Sequence, residues 1–390
     1  MKFSKKIQSI EPSLARDLFN KAKMYDNVID LTLGDPDYDT PSLLKKAACD
    51  AINANKTHYS PNAGLIEARI AAAKNIERVW GISADPQNEI LITVGGMEAL
   101  YLSLFSILDP DDEVIVFAPY YCNYIQMIKS CDGKPIIVDA YSEEQGLIIT
   151  EEMIRSVITD KTVAIIINSP SNPTGAAIPQ ESLRIIADLA EEFDLTIISD
   201  EVYHSLIYDG LQHQSVLQFE QARKRTVLID SMSKEFCMTG WRVGYLFAPQ
   251  ELVSSIVRMQ ENVASCVSLP SQYAMIKAYE DGLKCDYVDK FQERRDHLYN
   301  LINKIKGLKC RNPQGTFYMF VDISTTGLTS IDFANLLLEN QQVAIIPGIT
   351  YGQSYDKYIR IAFTKDISLL EKACKKIEKF IYELNSRAGG

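Results

Sequence analysis

The sequence predicts an α/β fold: a large domain with a mostly parallel sheet between helices, joined to a smaller α+β domain. Three features predict it. Short, continuously apolar, β-branched runs alternate with longer stretches of helical periodicity, as strands covered on both faces require. Residues able to do chemistry fall directly after those runs, where ligands bind on parallel sheets. From about Pro270 the pattern changes to long charged helices and then to short strands separated by turns.

In chain order, Glu89 to Val94 reads as a strand, followed by Gly95-Gly96 and a helical stretch from Met97 to Leu108. Glu113 to Phe117, Pro135 to Val138 and Thr162 to Asn168 are further strands, the last bounded by the turn-rich SPSNPTG. Ser182 to Phe193 is helical, and Leu195 to Ser199 and Thr226 to Ile229 are strands. In the second part, strands are expected at Thr316 to Asp322, Val343 to Pro347 and Tyr358 to Phe363, with a final helix from about Ile367. The first 40 residues are expected to pack with this part, so that residues 41–280 form the large domain and residues 1–40 and 281–390 the small one.

Composition narrows the function. Apolar residues make up 46% of the 390 and charged residues 23%, enough for a core without staples. The net charge of −11 argues against a broad nucleic-acid face and against docking on anionic lipid. Eight cysteines are scattered with no CxxC, which reads as free thiols. The four histidines form no HExxH, and no Cys/His cluster has zinc spacing, so no metal is expected. The N-terminal lysines are not followed by an apolar stretch, and no run approaches the ~18 apolar residues of a membrane span. A cytoplasmic protein is expected by default.

The segment from Ser231 to Tyr245 carries the sharpest chemical signal. Lys234 sits just past a strand end, with the hydroxyls of Ser231 and Ser233 before it and Arg242 eight residues after it. An aldehyde cofactor needs an amine for a Schiff base, and burial lowers a Lys pKa towards neutrality. A phosphate needs a guanidinium fork and hydroxyl donors. Taken singly, a solvated Lys and a structural Arg are the plainer explanation; the flanking pattern favours the chemical one.

Ser-x-Ser-Lys followed by Gly-Trp-Arg-x-Gly resembles the lysine region of class I/II aminotransferases, pyridoxal phosphate (PLP) enzymes of fold type I. Five other segments fit the family's order: Gly34 to Pro41 (GDPDYDTP), His58 to Gly64 (HYSPNAG), Ser169 to Gly175 (SPSNPTG), Asp200 to Tyr203 (DEVY) and Tyr358 to Arg360 (YIR). The resemblance spans nearly the whole chain.

It implies that Lys234 holds PLP as a Schiff base and, once freed, moves the proton between the substrate Cα and the cofactor. Asp200 would face the pyridine nitrogen and keep it protonated, which makes the ring a better electron sink; a helix N-cap is its plainer role. Tyr203 and Asn172 would bond the ring's phenolic oxygen, although Asn172 is also good turn chemistry. Tyr121 would stack on the ring, or else is a core aromatic. Ser231, Arg242 and the amides of Gly96 and Met97 at a helix start would hold the phosphate. Tyr59 would reach the phosphate of a neighbouring subunit, implying a homodimer with shared active sites. Arg360 would bind the substrate α-carboxylate as a fork, with the Gly34 amide assisting; the alternation of Tyr-Ile-Arg-Ile-Ala-Phe does not distinguish this from a solvent-facing strand Arg.

The chain also departs from the pattern. Some aspartate-specific relatives have a Lys where Met97 stands, so a neutral, apolar or aromatic amino acid is expected ahead of an acidic one, and a 2-oxoglutarate acceptor would need another cation. The loop before Arg360 (GQSYDK) lacks the glycine-rich form of many relatives, and an altered lid is expected. The same cofactor site would serve a carbon–sulfur β-lyase. A non-catalytic ligand sensor on this fold would carry a DNA-binding domain, for which little chain precedes Gly34. A nicotinamide dehydrogenase is disfavoured because no GxGxxG follows a strand.

Overall fold

A computed structural model describes residues 1–12, 14–284 and 287–388. Its main sheet has seven strands: β1 (Ile90–Thr93), β2 (Glu113–Ala118), β3 (Lys134–Asp139), β4 (Thr162–Asn168), β5 (Thr196–Asp200), β6 (Thr226–Ser231) and β7 (Gly244–Phe247). The order across the sheet is β1-β7-β6-β5-β4-β2-β3. All are parallel except β7, which runs antiparallel between β1 and β6. The residues of β1 and β7 are buried at every position, and those of β5 at all but Thr196. This is why they are apolar without alternation.

A second, antiparallel sheet contains β8 (Lys309–Cys310), β9 (Tyr318–Asp322), β10 (Ile346–Pro347) and β11 (Tyr358–Ala362), in the order β8-β9-β11-β10. Leu18, Ile29 and Leu31 from the N-terminal segment share one core with Phe333, Leu337, Ile377 and Phe380 from the C-terminal part. Arg294 ties the two further, donating to Asp37 Oδ1 at 2.8 Å and to the Thr364 carbonyl at 2.7 Å.

Two elements differ from expectation. Strand β7 was not foreseen: four residues leave too little pattern to read, and its direction depends on its neighbours. The single strand expected from Val343 to Pro347 is two. Val343–Ala344 pairs in parallel with Ile29–Asp30, while β10 pairs with β11. Two sheets compete for five residues, and Pro347, which has no N–H, falls on an edge strand. The helix Leu269–Glu280 packs on the helices Ser42–Asn53 and Ile66–Trp80 beside the main sheet; Val288–Ile302 is the helix that joins the second core.

Among the described residues no helix is long and apolar enough to cross a membrane, and no cluster of His, Cys, Asp or Glu could hold a metal. Seven cysteines are free thiols, and Cys285 lies outside the described residues.

Candidate active site

Asn168, Asp200 and Ser231 are the last residues of the adjacent strands β4, β5 and β6. They open onto a cavity of about 710 Å³ at the carboxyl ends of the sheet. Gly34, Gly96, Met97, Tyr121, Asn172, Asp200, Tyr203, Ser231, Lys234, Arg242 and Arg360 all line it. The cavity thus brings together eleven of the expected residues from both sheets. Tyr59 is the exception: it lies outside the cavity and is 89% exposed.

Lys234 belongs to a short helical turn, Met232–Glu235, capped by Ser231, whose Oγ accepts from the Ser233 amide at 3.1 Å. The turn presents the Lys234 amine to the cavity, where Nζ donates to the Gly34 carbonyl at 2.7 Å. Loss of solvent pushes its pKa down to about 8; Asp35 opposes this, and Arg360 and Arg242 add to it. Gly34 has no room for a side chain, because a Cβ would stand 1.6 Å from the Tyr318 hydroxyl.

Asp200 is 5% exposed, and burial raises its pKa to about 6. A hydrogen bond from the Tyr124 hydroxyl to Oδ2, at 2.6 Å, partly offsets that cost. Asn168 Nδ2 donates to the Asp200 carbonyl at 2.9 Å, and its Oδ1 accepts from the Asn172 amide at 2.8 Å. The turn after β4 is thereby fastened to the end of β5. The Tyr203 hydroxyl lies 3.1 Å from that of Tyr318. Tyr121 accepts from Asn123 Nδ2 at 3.1 Å and touches Met97 Sδ at 3.6 Å.

At the other end of the cavity, Gly95 opens the helix Gly95–Ile107 with φ +72°. A Cβ there would come within 2.6 Å of Arg242 Nη2, so the glycine serves both the turn and the arginine. Arg242 is held by the Thr239 and Val94 carbonyls at 3.0 and 3.2 Å. Arg360 is buried, not solvent-facing. Its Nη1 donates to Asn172 Oδ1 at 3.0 Å and its Nη2 to the Thr32 carbonyl, and its Cζ lies over the Tyr318 ring, 4.3 Å from the centroid. Its Nε is buried with no partner among the described residues.

This donor set fits PLP: an amine near neutrality for the aldehyde, a buried carboxylate for the ring nitrogen, and a helix start with Ser231 and Arg242 for the phosphate. Arg16, Phe19, Asn123, Tyr318 and Tyr351 also line the cavity, and Tyr124 supports Asp200. These were not foreseen. Tyr124 follows Tyr121 by three residues, but only its contact with Asp200 reveals a role. Arg16 sits on the helix Leu14–Ala22, whose position depends on long-range packing.

Residues 26–377 match the family model for aminotransferase class I and II. An aromatic-amino-acid aminotransferase 2 of Thermococcus litoralis is 37% identical over 387 residues, covering 98% of this chain and 99% of that protein. An aspartate aminotransferase of Pyrococcus abyssi is also 37% identical, with the same coverage. A solved Thermus thermophilus aspartate aminotransferase, a double mutant, superposes with a TM-score of 0.92 at 33% identity, covering 97% of this chain and all of that one.

Proposed function

This chain belongs to the class I and II aminotransferases, PLP-dependent enzymes, and from that premise we propose that it moves an amino group between a neutral, apolar or aromatic L-amino acid and a 2-oxo acid. The observation that carries this reading is the convergence of Lys234, Asp200 and Arg360 on one cavity. Lys234 would hold PLP through the carbon of its aldehyde, and the bound group would supply the carbon that takes up the amino group and a ring that withdraws electrons from the substrate Cα.

The residues divide the remaining work. Arg360 binds the α-carboxylate through its fork and sets the orientation of Cα. Lys234, its pKa pushed down to about 8, would serve as the base that takes the Cα proton and the acid that returns it on the cofactor side. Asp200 would face the ring nitrogen as an anion, and Tyr203 and Asn172 would face the phenolic oxygen. Tyr121 would stack on the ring. Ser231, Arg242 and the amides of Gly96 and Met97 would hold the phosphate, and Tyr59 of a second copy would complete it. The exposure of Tyr59 supports that homodimer.

The substrate preference rests on Met97, whose thioether and the neighbouring Asn123 offer no charge to a distal carboxylate. A 2-oxoglutarate acceptor would direct its second carboxylate to Arg16 in the cavity wall. Both an aromatic and an aspartate aminotransferase stand among the relatives, which supports such a dual pocket. A cytoplasmic enzyme without nucleic-acid or membrane partners is part of the same proposal.

The visible spectrum of the PLP-loaded protein tests this. A cofactor band that bleaches with phenylalanine, tyrosine or leucine and returns with a 2-oxo acid is expected. A band that persists while cysteine-type substrates release pyruvate would instead identify a β-lyase. No band after adding PLP would overturn the assignment of Lys234.

A further inference from the structure

Three residues expected at the cofactor are each followed by a polar residue that turns away from it: Glu201 after Asp200, His204 after Tyr203 and Glu235 after Lys234. Side chains alternate in facing along β5 and β6, and Asp200 pairs with Ile229. The face opposite Asp200 therefore carries Ser199 on β5 and Asp230 on β6. Behind the sheet these residues form a buried cluster. Glu201 accepts from Ser199 Oγ at 2.6 Å, Ser215 Oγ at 2.7 Å and Trp80 Nε1 at 2.7 Å, and pairs with His213.

His204 lies in the same cluster, its ring 4.9 Å from Trp80 and 6.1 Å from His213. Its Nε2 is 3.4 Å from Asp230 Oδ1 and 3.8 Å from Glu235 Oε2. These are ion-pair distances rather than aligned hydrogen bonds, and Nε2 and Oε2 have no hydrogen-bond partner among the described residues. His204 is 6% exposed and Asp230 fully buried. Arg78 acts on Glu235 from one side, while the Tyr245 and Tyr279 hydroxyls crowd Asp230 from another.

The charges are coupled to the active site. Burial is the main cause that raises Asp200, but Glu201 and Asp230 raise it further. Burial opposes the charge on His204, yet Asp230 and Glu235 outweigh it and bring the imidazole up to about 9, while burial raises Glu235 to about 7.

We propose that His204 is a positioning residue for the cofactor ring: a buried imidazole behind the sheet, set between Asp230 and Glu235, that offsets Asp230 and so favours the anionic form of Asp200 towards the ring nitrogen. It acts through Asp230 and Asp200 and touches neither substrate nor cofactor. This rests on the reading of the cavity as a PLP site.

The test compares binding of PLP with binding of its analogue in which the ring nitrogen is replaced by C–H, using cofactor-free protein and the absorbance change. Wild type should prefer PLP. In His204→Gln that preference should fall roughly three- to tenfold, the effect of about half to one unit in the acidity of Asp200, while affinity for the analogue holds. In His204→Gln/Asp230→Asn, which removes the pair together, the preference should return to within about twofold of wild type. If His204→Gln weakens both ligands equally, its role is structural and the proposal fails. If wild type binds the two ligands equally, Asp200 does not read the nitrogen, and the proposal fails for that reason. If wild type does not bind PLP at all, the cofactor reading itself falls. A measurement without variants guards against a folding failure: nitrogen-15 spectra of the imidazoles should show one that stays doubly protonated past about pH 8. Finding every imidazole neutral at pH 8 would overturn the proposal.

Discussion

Arg360 on β11 donates through Nη1 to Asn172 Oδ1 at 3.0 Å, although the two residues are 188 positions apart. One belongs to the antiparallel sheet and the other to the turn after β4, so this contact fastens the expected carboxylate clamp to the expected cofactor cradle. The Asn172 oxygen and the Thr32 carbonyl preset the guanidinium plane before substrate arrives. Arg360→Lys keeps the charge and loses the fork. The expected result is a fall in kcat/KM of about a hundredfold for every amino acid, equivalent to roughly 3 kcal/mol of charge-assisted hydrogen bonding. Steady-state kinetics with several donors checks it; a loss confined to one donor would contradict the role.

Lys234 attacks an aldehyde only as the neutral amine. With its pKa near 8, the rate of PLP uptake by cofactor-free protein should rise about tenfold per pH unit below that value and level off above it. Stopped-flow absorbance between pH 6 and 10 measures this.

The same depression bears on stability. The native amine is lowered from 10.5 to about 8, so between those values the native state binds fewer protons than the unfolded chain. Its burial is therefore a full cost below about pH 8, and the cost disappears as pH rises towards the unfolded value. Cofactor-free Lys234→Met should be more stable than wild type by about 1–3 kcal/mol at pH 7, and most of that gain should be gone by about pH 10. Denaturant titrations at both pH values check the sign.

Met97 Sδ lies 3.6 Å from the Tyr121 hydroxyl and 3.7 Å from Asn123 Nδ2, on the wall assigned to the substrate side chain. Met97→Lys should shift the ratio of kcat/KM for aspartate over phenylalanine upward by about tenfold, the effect of one partly screened charge pair. An unchanged ratio would remove Met97 from the specificity pocket.

Tyr59 is 89% exposed and outside the cavity of its own chain. If it completes the site of a second copy, Tyr59→Ala and Lys234→Ala proteins, each impaired alone, should regain activity when refolded together. The hybrid dimer has one intact site, so random pairing yields up to about a quarter of wild-type activity. No recovery would argue against a shared site.

The split of the expected strand at Val343 to Pro347 shows where sequence reading ends. Apolar runs such as Ile90–Thr93 and Thr162–Asn168 are legible because burial on both faces demands a continuous apolar stretch. The short run Gly244–Phe247 was missed, since its place between β1 and β6 comes from partners far away in the chain. Local pattern likewise could not say which sheet Val343 or Ile346 would join.

By itself, the sequence determined the alternation of strands and helices, and the residues able to do chemistry at strand ends: Asp200, Ser231, Lys234 and the turn holding Asn172. Those depend on local order, because a strand end, a turn and a helix start are set within a few residues. Only the tertiary structure decided that Arg360 is buried against Asn172, that Tyr124 bonds Asp200, that Arg16 reaches the cavity and that His204 sits between two acids. Each of these depends on packing between segments dozens to hundreds of residues apart, and neither periodicity nor composition records which distant side chain a buried polar atom will meet.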